Sequence, residues 1–207
     1  PYFNRFHTQL VGIAQMGETN VVANSYVKVQ SDDDLLVGLR GNGYYTVGAG
    51  ATNWFKQKIL TRNFDAFCYT GTEADAQIDF VLEHVEGKNR FFGFINFGET
   101  HAPYTYKGKE DRCPADVRAR TMTWPPAEQE GPVGKKNPAF AHQKEAVEFL
   151  DRRLARLLSN VPANTVVVLC ADHGDCFGED GYWGHGVHHE KVFEVPLCIF
   201  RLDGKRF

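Results

Sequence analysis

The stretch Thr165–Ala171, Thr-Val-Val-Val-Leu-Cys-Ala, is apolar or β-branched throughout and stops abruptly at Asp172-His173-Gly174. A strand with one wet face alternates polar and apolar residues; this one does not. It therefore reads as a strand buried on both faces, as in a parallel sheet lying between helices. In such sheets the chemistry gathers at the carboxyl ends of the strands. Asp172 and His173 stand at that end, and Gly174 permits the sharp turn that lets adjacent side chains face one cavity.

An Asp beside a His offers a hard oxygen and a borderline nitrogen, a pair that suits Zn²⁺ or Mn²⁺ better than an all-oxygen Ca²⁺ cage. Twelve residues beyond His173 comes His185, between Gly184 and Gly186, with His188 and His189 just behind it. Half of the chain's eight His thus fall in this C-terminal region. A lone loop His is ordinarily just solvated. The strand-end position and the flanking glycines argue for a ligand set instead.

Upstream, the pattern alternates between helix and strand. Leu35, Leu36 and Leu39 lie on a short helix with Ser31 and Asp32 as N-cap candidates, stopped by Gly41-Asn42-Gly43 before a strand over 44–49. A helix over 73–86 turns Ile78, Val81, Leu82 and Val85 inward, and Phe91 to Phe97 is a second apolar strand. Residues 143–159 carry Val147, Leu150, Leu154, Leu157 and Leu158 on one stripe of a helix, with Arg152, Arg153 and Arg156 mostly off it. The class expected is α/β, a mostly parallel sheet sandwiched between helices.

Composition excludes more than it selects. At 207 residues the chain is one domain of comfortable size, and its net charge of -3 provides no basic footprint for nucleic acid. No apolar run reaches the roughly 18 residues of a membrane span, and no signal-like start is seen, so a cytoplasmic location is expected. The five Cys, at 68, 113, 170, 176 and 198, form no Cys-x-x-Cys pair and read as reduced thiols. Cys170 and Cys198 are expected to pack in core strands. Residues 107–141 are irregular and rich in Pro and Lys, a length of loop that in compact domains tends to be functional; substrate selection is the role expected of it.

Asp172-His173-Gly174, Gly178-Glu179-Asp180-Gly181, Trp183-Gly184-His185-Gly186 and Val195-Pro196-Leu197, in that order, resemble the C-terminal metal motif of the alkaline phosphatase and sulfatase superfamily. His101-Ala102-Pro103-Tyr104, after the strand ending near Phe97, is similar to that family's His-x-Pro-Tyr element near the substrate's anionic group. The resemblance implies a metal-dependent hydrolase or transferase acting on a small-molecule phosphoester, in preference to a sulfate ester. It implies a divalent metal, Zn or Mn, held by Asp172, His173 and His185, with His101 and His185 against the phosphoryl oxygens. It leaves no ligand role for Cys176.

The same resemblance places Tyr2–Thr8 on the strand leading to the nucleophile and makes Thr8 that nucleophile, with Thr19 and Ser25 as spare candidates. No Cys/Ser-x-Pro-Ser/Ala-Arg motif is present, so formylglycine chemistry is not expected. The family's first strand, which ends in acidic ligands, would precede Thr8 by several dozen residues. Asp32, Asp33 and Asp34 do not replace it, because they open a helix. The expectation is a single sulfatase-like domain over 1–207, N-terminally incomplete, its site completed by a missing segment or another chain. The alternative is a degenerate domain that keeps the fold and part of the metal site without turnover.

Overall fold

A computed structural model of the chain describes residues 35–108 and 131–203. Thr8, Thr19, Ser25 and Asp32–Asp34 lie outside the described residues, as does most of the irregular loop. In order, the elements are α1 (Leu35–Gly41), β1 (Tyr45–Gly50), α2 (Lys58–Thr61), β2 (Ala66–Tyr69), α3 (Ala74–Val85) and β3 (Phe91–Asn96). They continue with α4 (Pro138–Asn160), β4 (Val166–Cys170), β5 (Cys176–Phe177), β6 (Trp183–Gly184), α5 (Glu190–Phe193) and β7 (Leu197–Arg201).

The first half is a parallel α/β unit. Its sheet has the order β2-β1-β3, both pairings parallel, with Val47 opposite Ala66 and Gly93. The side chains of central β1 divide between two faces by the strand's period of two. Val47 and Ala49 turn toward Val81 and Val85 of α3, all of them buried, and this is the main apolar cluster. At Gly48 and Gly50 the strand instead admits aromatic rings. A Cβ at Gly50 would sit 2.4 Å from Phe55 Cγ, and one at Gly48 would sit 2.6 Å from the Phe67 ring. Phe55 and Phe94 each lie within a ring contact of a shared aromatic cluster that includes Phe64 and Phe67. Gly50→Ala is therefore expected to overpack this face and to cost about 1–3 kcal/mol, read as a lowered urea midpoint; an unchanged midpoint would mean that the aromatic layer yields freely.

Helix α4 begins earlier than the apolar stripe indicated. Asn137 caps it, its side-chain oxygen accepting from the Ala139 N–H at 2.8 Å, and Pro138 occupies the first turn, where no N–H is needed. The inward stripe is also rotated. Ala139, Ala146, Phe149 and Leu150 are buried, whereas Val147, expected inward, is 52% exposed. The reason lies in what α4 packs against. Phe149 stacks on Tyr106, with ring centroids 4.6 Å apart, and Arg153 covers the Phe149 ring at 4.1 Å. Arg153 and Arg156 reach Asp75, and Arg156 also pairs with Asp79, so that acidic α3 draws the arginine side of α4 toward it.

The largest departure from expectation concerns β4. It does not join the parallel sheet. It pairs antiparallel with β7, Val168 opposite Ile199, in a separate two-stranded ribbon, and β5 and β6 form a third, two-stranded sheet. The apolar run that suggested burial on both faces instead leaves Val166 61%, Val168 55%, Leu197 66% and Ile199 62% exposed. Among the described residues nothing covers that face. Cys170 and Cys198, expected in the core, are likewise exposed. The sheet is thus parallel only over β1–β3, and the full sandwich is not formed by the described residues.

Candidate metal centre

Three segments converge at one point. The loop after β3 carries His101, the loop after β4 carries Asp172 and His173, and the end of β6 carries His185. One ligand atom from each of His101, His173 and His185 lies within 4.8 Å of the others. The rings of His173 and His185 are 4.0 Å apart between centroids, and those of His101 and His185 are 5.2 Å apart.

The hydrogen bonds of these rings decide what they offer. His101 Nδ1 lies 2.7 Å from the Ala102 carbonyl oxygen, and His173 Nδ1 lies 3.0 Å from that of Gly174. A carbonyl oxygen only accepts, so each Nδ1 carries the proton and each Nε2 presents a lone pair. His185 Nδ1 is 2.7 Å from Asp175 Oδ1. Second contacts of this kind, to carbonyl or carboxylate oxygen, are those that orient metal-binding histidines. His101 is exposed, so the group opens to solvent, as a catalytic site with a free coordination position requires. The donor set fits a borderline divalent cation.

The local backbone explains the convergence. Gly174 packs against α5: its N–H donates to the Val192 carbonyl at 2.8 Å, and a Cβ there would lie 2.1 Å from the Lys191 oxygen. The close approach to α5, not a left-handed turn, is what demands glycine here. The β5–β6 hairpin pairs Cys176 with Gly184 and Phe177 with Trp183. The next pair outward is Asp175 and His185, which the register sets side by side. Gly184 and Gly186, on either side of His185, have φ of 70° and 92°, a conformation that favours glycine. Glu99 is buried beneath the His101 loop and accepts the Ala74 N–H at 2.8 Å, tying that loop to the start of α3; burial pushes its carboxyl up.

Asp172 stands beside this group. Its side chain is 82% exposed, and its Oδ1 is 4.0 Å from His173 Nε2. His189 caps α5 by accepting the Lys191 N–H at 3.1 Å, and His188 lies against Phe193, so neither enters the group. Asp175 was not singled out from the sequence; the β5–β6 hairpin register is what sets it opposite His185. Burial alone would raise its carboxyl, but the hydrogen bond to His185 and the charges of His185, His173 and His101 together hold it below the usual range. The same hydrogen bond, opposed by burial, raises the His185 imidazole.

Cys176 is buried, 1% exposed, and is not among the grouped ligands. Burial first, and then the nearby Glu179, Asp175 and Asp180, push its thiol up to about 11. It is expected to resist iodoacetamide at about pH 8, near the ordinary thiol pKa, while the exposed Cys170 and Cys198 are modified. Peptide mass mapping of the folded chain checks this, and early labelling of Cys176 would contradict its burial.

No family model matches the chain. The C-terminal periplasmic domain of EcEptC from Escherichia coli superposes with a TM-score of 0.50, covering 82% of this chain and 52% of that one at 13% identity. The chain shares that domain's fold. The phosphopentomutase of Sodalis glossinidius (strain morsitans) is 38% identical over 68 residues, 30% of this chain and 15% of that enzyme. The chain thus spans about half of the solved domain and a small part of the curated relative. Among the described residues no helix is long and apolar enough to cross a membrane.

Proposed function

We propose that the chain is the metal-binding part of a phosphoester-handling enzyme of the alkaline phosphatase superfamily. The observation that carries this reading is the set of three imidazoles on strand and hairpin ends, each with Nδ1 engaged and Nε2 available. Similarity to a phosphopentomutase over a short stretch, and the shared fold with the periplasmic domain, support it.

His101, His173 and His185 would hold the metal, with Asp172 as the adjoining carboxylate. Three nitrogens favour Zn²⁺ over Mn²⁺, which prefers oxygen. When bound, such a cation polarises a phosphoryl oxygen and lowers the pKa of a nearby hydroxyl or water. The chain's own residues do the rest. The exposed position of His101 leaves the mouth open to a small phosphoester, and Thr8 is the hydroxyl proposed to attack it. Because His185 gains a proton more readily than a free imidazole, and that proton must leave for a metal to bind, affinity should rise with pH through the imidazole's raised range. Further acidic ligands would come from a segment or chain beyond those described.

The test is metal content together with turnover of p-nitrophenyl phosphate and p-nitrophenyl sulfate by the purified chain with added Zn²⁺. Bound metal and phosphate turnover, both abolished by removing metal and the turnover alone abolished by Thr8→Ala, would support the enzyme. Metal without turnover would favour the degenerate domain, and no metal at all would overturn the site.

A further inference from the structure

The carboxylate behind His185 belongs to a network wider than that one contact. Asp175 has a side chain only 5% exposed, and it meets three donors. Oδ1 accepts from His185 Nδ1 at 2.7 Å; Oδ2 accepts from the Tyr104 hydroxyl at 3.2 Å and from Gln143 Nε2 at 3.3 Å. Gln143 Nε2 also donates to the Thr100 carbonyl at 3.3 Å, which keeps its NH₂ side facing Asp175. Tyr104 is 1% exposed. One carboxylate therefore joins the hairpin, α4 and the loop that carries His101.

We propose that Asp175 is a positioning residue that holds His185 as its Nδ1–H tautomer and aims the Nε2 lone pair at the space shared with His101 and His173. The inference rests on the metal-site reading for its purpose and on the hydrogen-bond geometry for its substance. His101 and His173 draw their orientation from backbone carbonyls of adjacent residues, which no side-chain substitution removes. His185 alone depends on a side chain, and so its tautomer is the one that mutation can reverse.

The geometry makes a distinctive demand on the isosteric variant Asp175→Asn. Gln143 Nε2, held on the Thr100 carbonyl, can only donate toward the Oδ2 position, and the Tyr104 hydroxyl can turn to do so, so the new amide should place its oxygen there. Its NH₂ then faces His185 Nδ1, which can only accept it. The proton moves to Nε2, and the lone pair that would bind metal is lost. The substitution closest in shape is thus predicted to reverse the ring's polarity.

The experiment is nitrogen-15 histidine NMR on the metal-free chain at about pH 9, where imidazoles are neutral, with Zn²⁺ affinity measured by chelator competition and folding followed by thermal melting. Wild-type His185 should show Nδ1–H; Asp175→Asn should show Nε2–H, with Zn²⁺ affinity lowered about 10–100-fold. Adding Gln143→Leu to Asp175→Asn frees the amide to turn and should recover part of the Nδ1–H form. A wild-type His185 found as Nε2–H would overturn the proposal without recourse to any variant, as would an Asp175→Asn protein with unchanged tautomer and affinity. If the tautomer reverses as expected but the wild-type chain binds no Zn²⁺, the orienting role of Asp175 is upheld and the metal-site reading fails.

Discussion

His173→Ala is expected to lower Zn²⁺ affinity by more than about 100-fold, since losing even an outer partner of a ligand costs about 10–100-fold. His173 supplies one of the three grouped ligand atoms and lies closest in ring contact to His185, 4.0 Å between centroids. Its removal leaves two imidazoles from different loops, a number that does not hold a divalent cation firmly. The control is His189→Ala. His189 caps α5 and lies outside the group, so its loss should trim stability slightly and leave metal affinity in place. Chelator competition on both proteins decides the matter. Equal affinity in the two variants would reduce the cluster to a coincidence of a His-rich loop.

Trp183→Ala should be the most damaging single substitution to the fold around the site, lowering stability by about 3–5 kcal/mol in urea unfolding. Against a total of roughly 5–15 kcal/mol for a domain, that is enough to leave the chain marginal. Trp183 is 1% exposed, pairs with Phe177 across the hairpin, and its ring closes on the turn so tightly that a Cβ at Gly178 would lie 2.9 Å from it. Phe177 in turn packs with Tyr104 and Phe140. The indole therefore seats the short hairpin on the core, and the Asp175–His185 contact depends on that seat. Trp183→Phe, which keeps much of the apolar volume, should lose less; equal unfolding midpoints for Trp183→Ala and the wild-type chain would show the hairpin to be held by other means.

Sequence patterns singled out His101, His173 and His185, which the fold brings together, and Asp172, which stands exposed beside them. Strand ends, glycines and histidines are local features, whereas the hairpin pairing that carries His185 back toward the end of β4 is seen only in the fold. The helix over 73–86 was legible because its apolar residues keep the helical period, and the strand near Phe91 because it is a short, nearly continuous apolar run. Partner choice was not legible. Nothing in Val166–Cys170 distinguishes a central parallel strand from one arm of an antiparallel ribbon, since both reward the same β-branched residues. Val147 was misplaced for a related reason. Its helix is aligned by the ring of Phe149 and by arginines reaching α3, interactions that a count of apolar residues does not register. Asp175 required the hairpin's pairing to be followed one residue further than its strands.

The β4–β7 ribbon, bare on its apolar face, bears on how the centre comes together. Two strands alone make a marginal structure, open to fraying at modest cost. Yet strand β4 of this ribbon leads to His173, while a hairpin of four paired residues leads to His185 and a loop from the parallel sheet presents His101. Three units thus meet at their imidazoles, joined besides by the Asp175 network and the Tyr104–Phe177 contact. An ion shared among them, as proposed, would act as a non-covalent crosslink, and part of its binding free energy would go to closing the ribbon. On that reading the β4–β7 pair and the cation would be, in thermodynamic terms, ligands of one another.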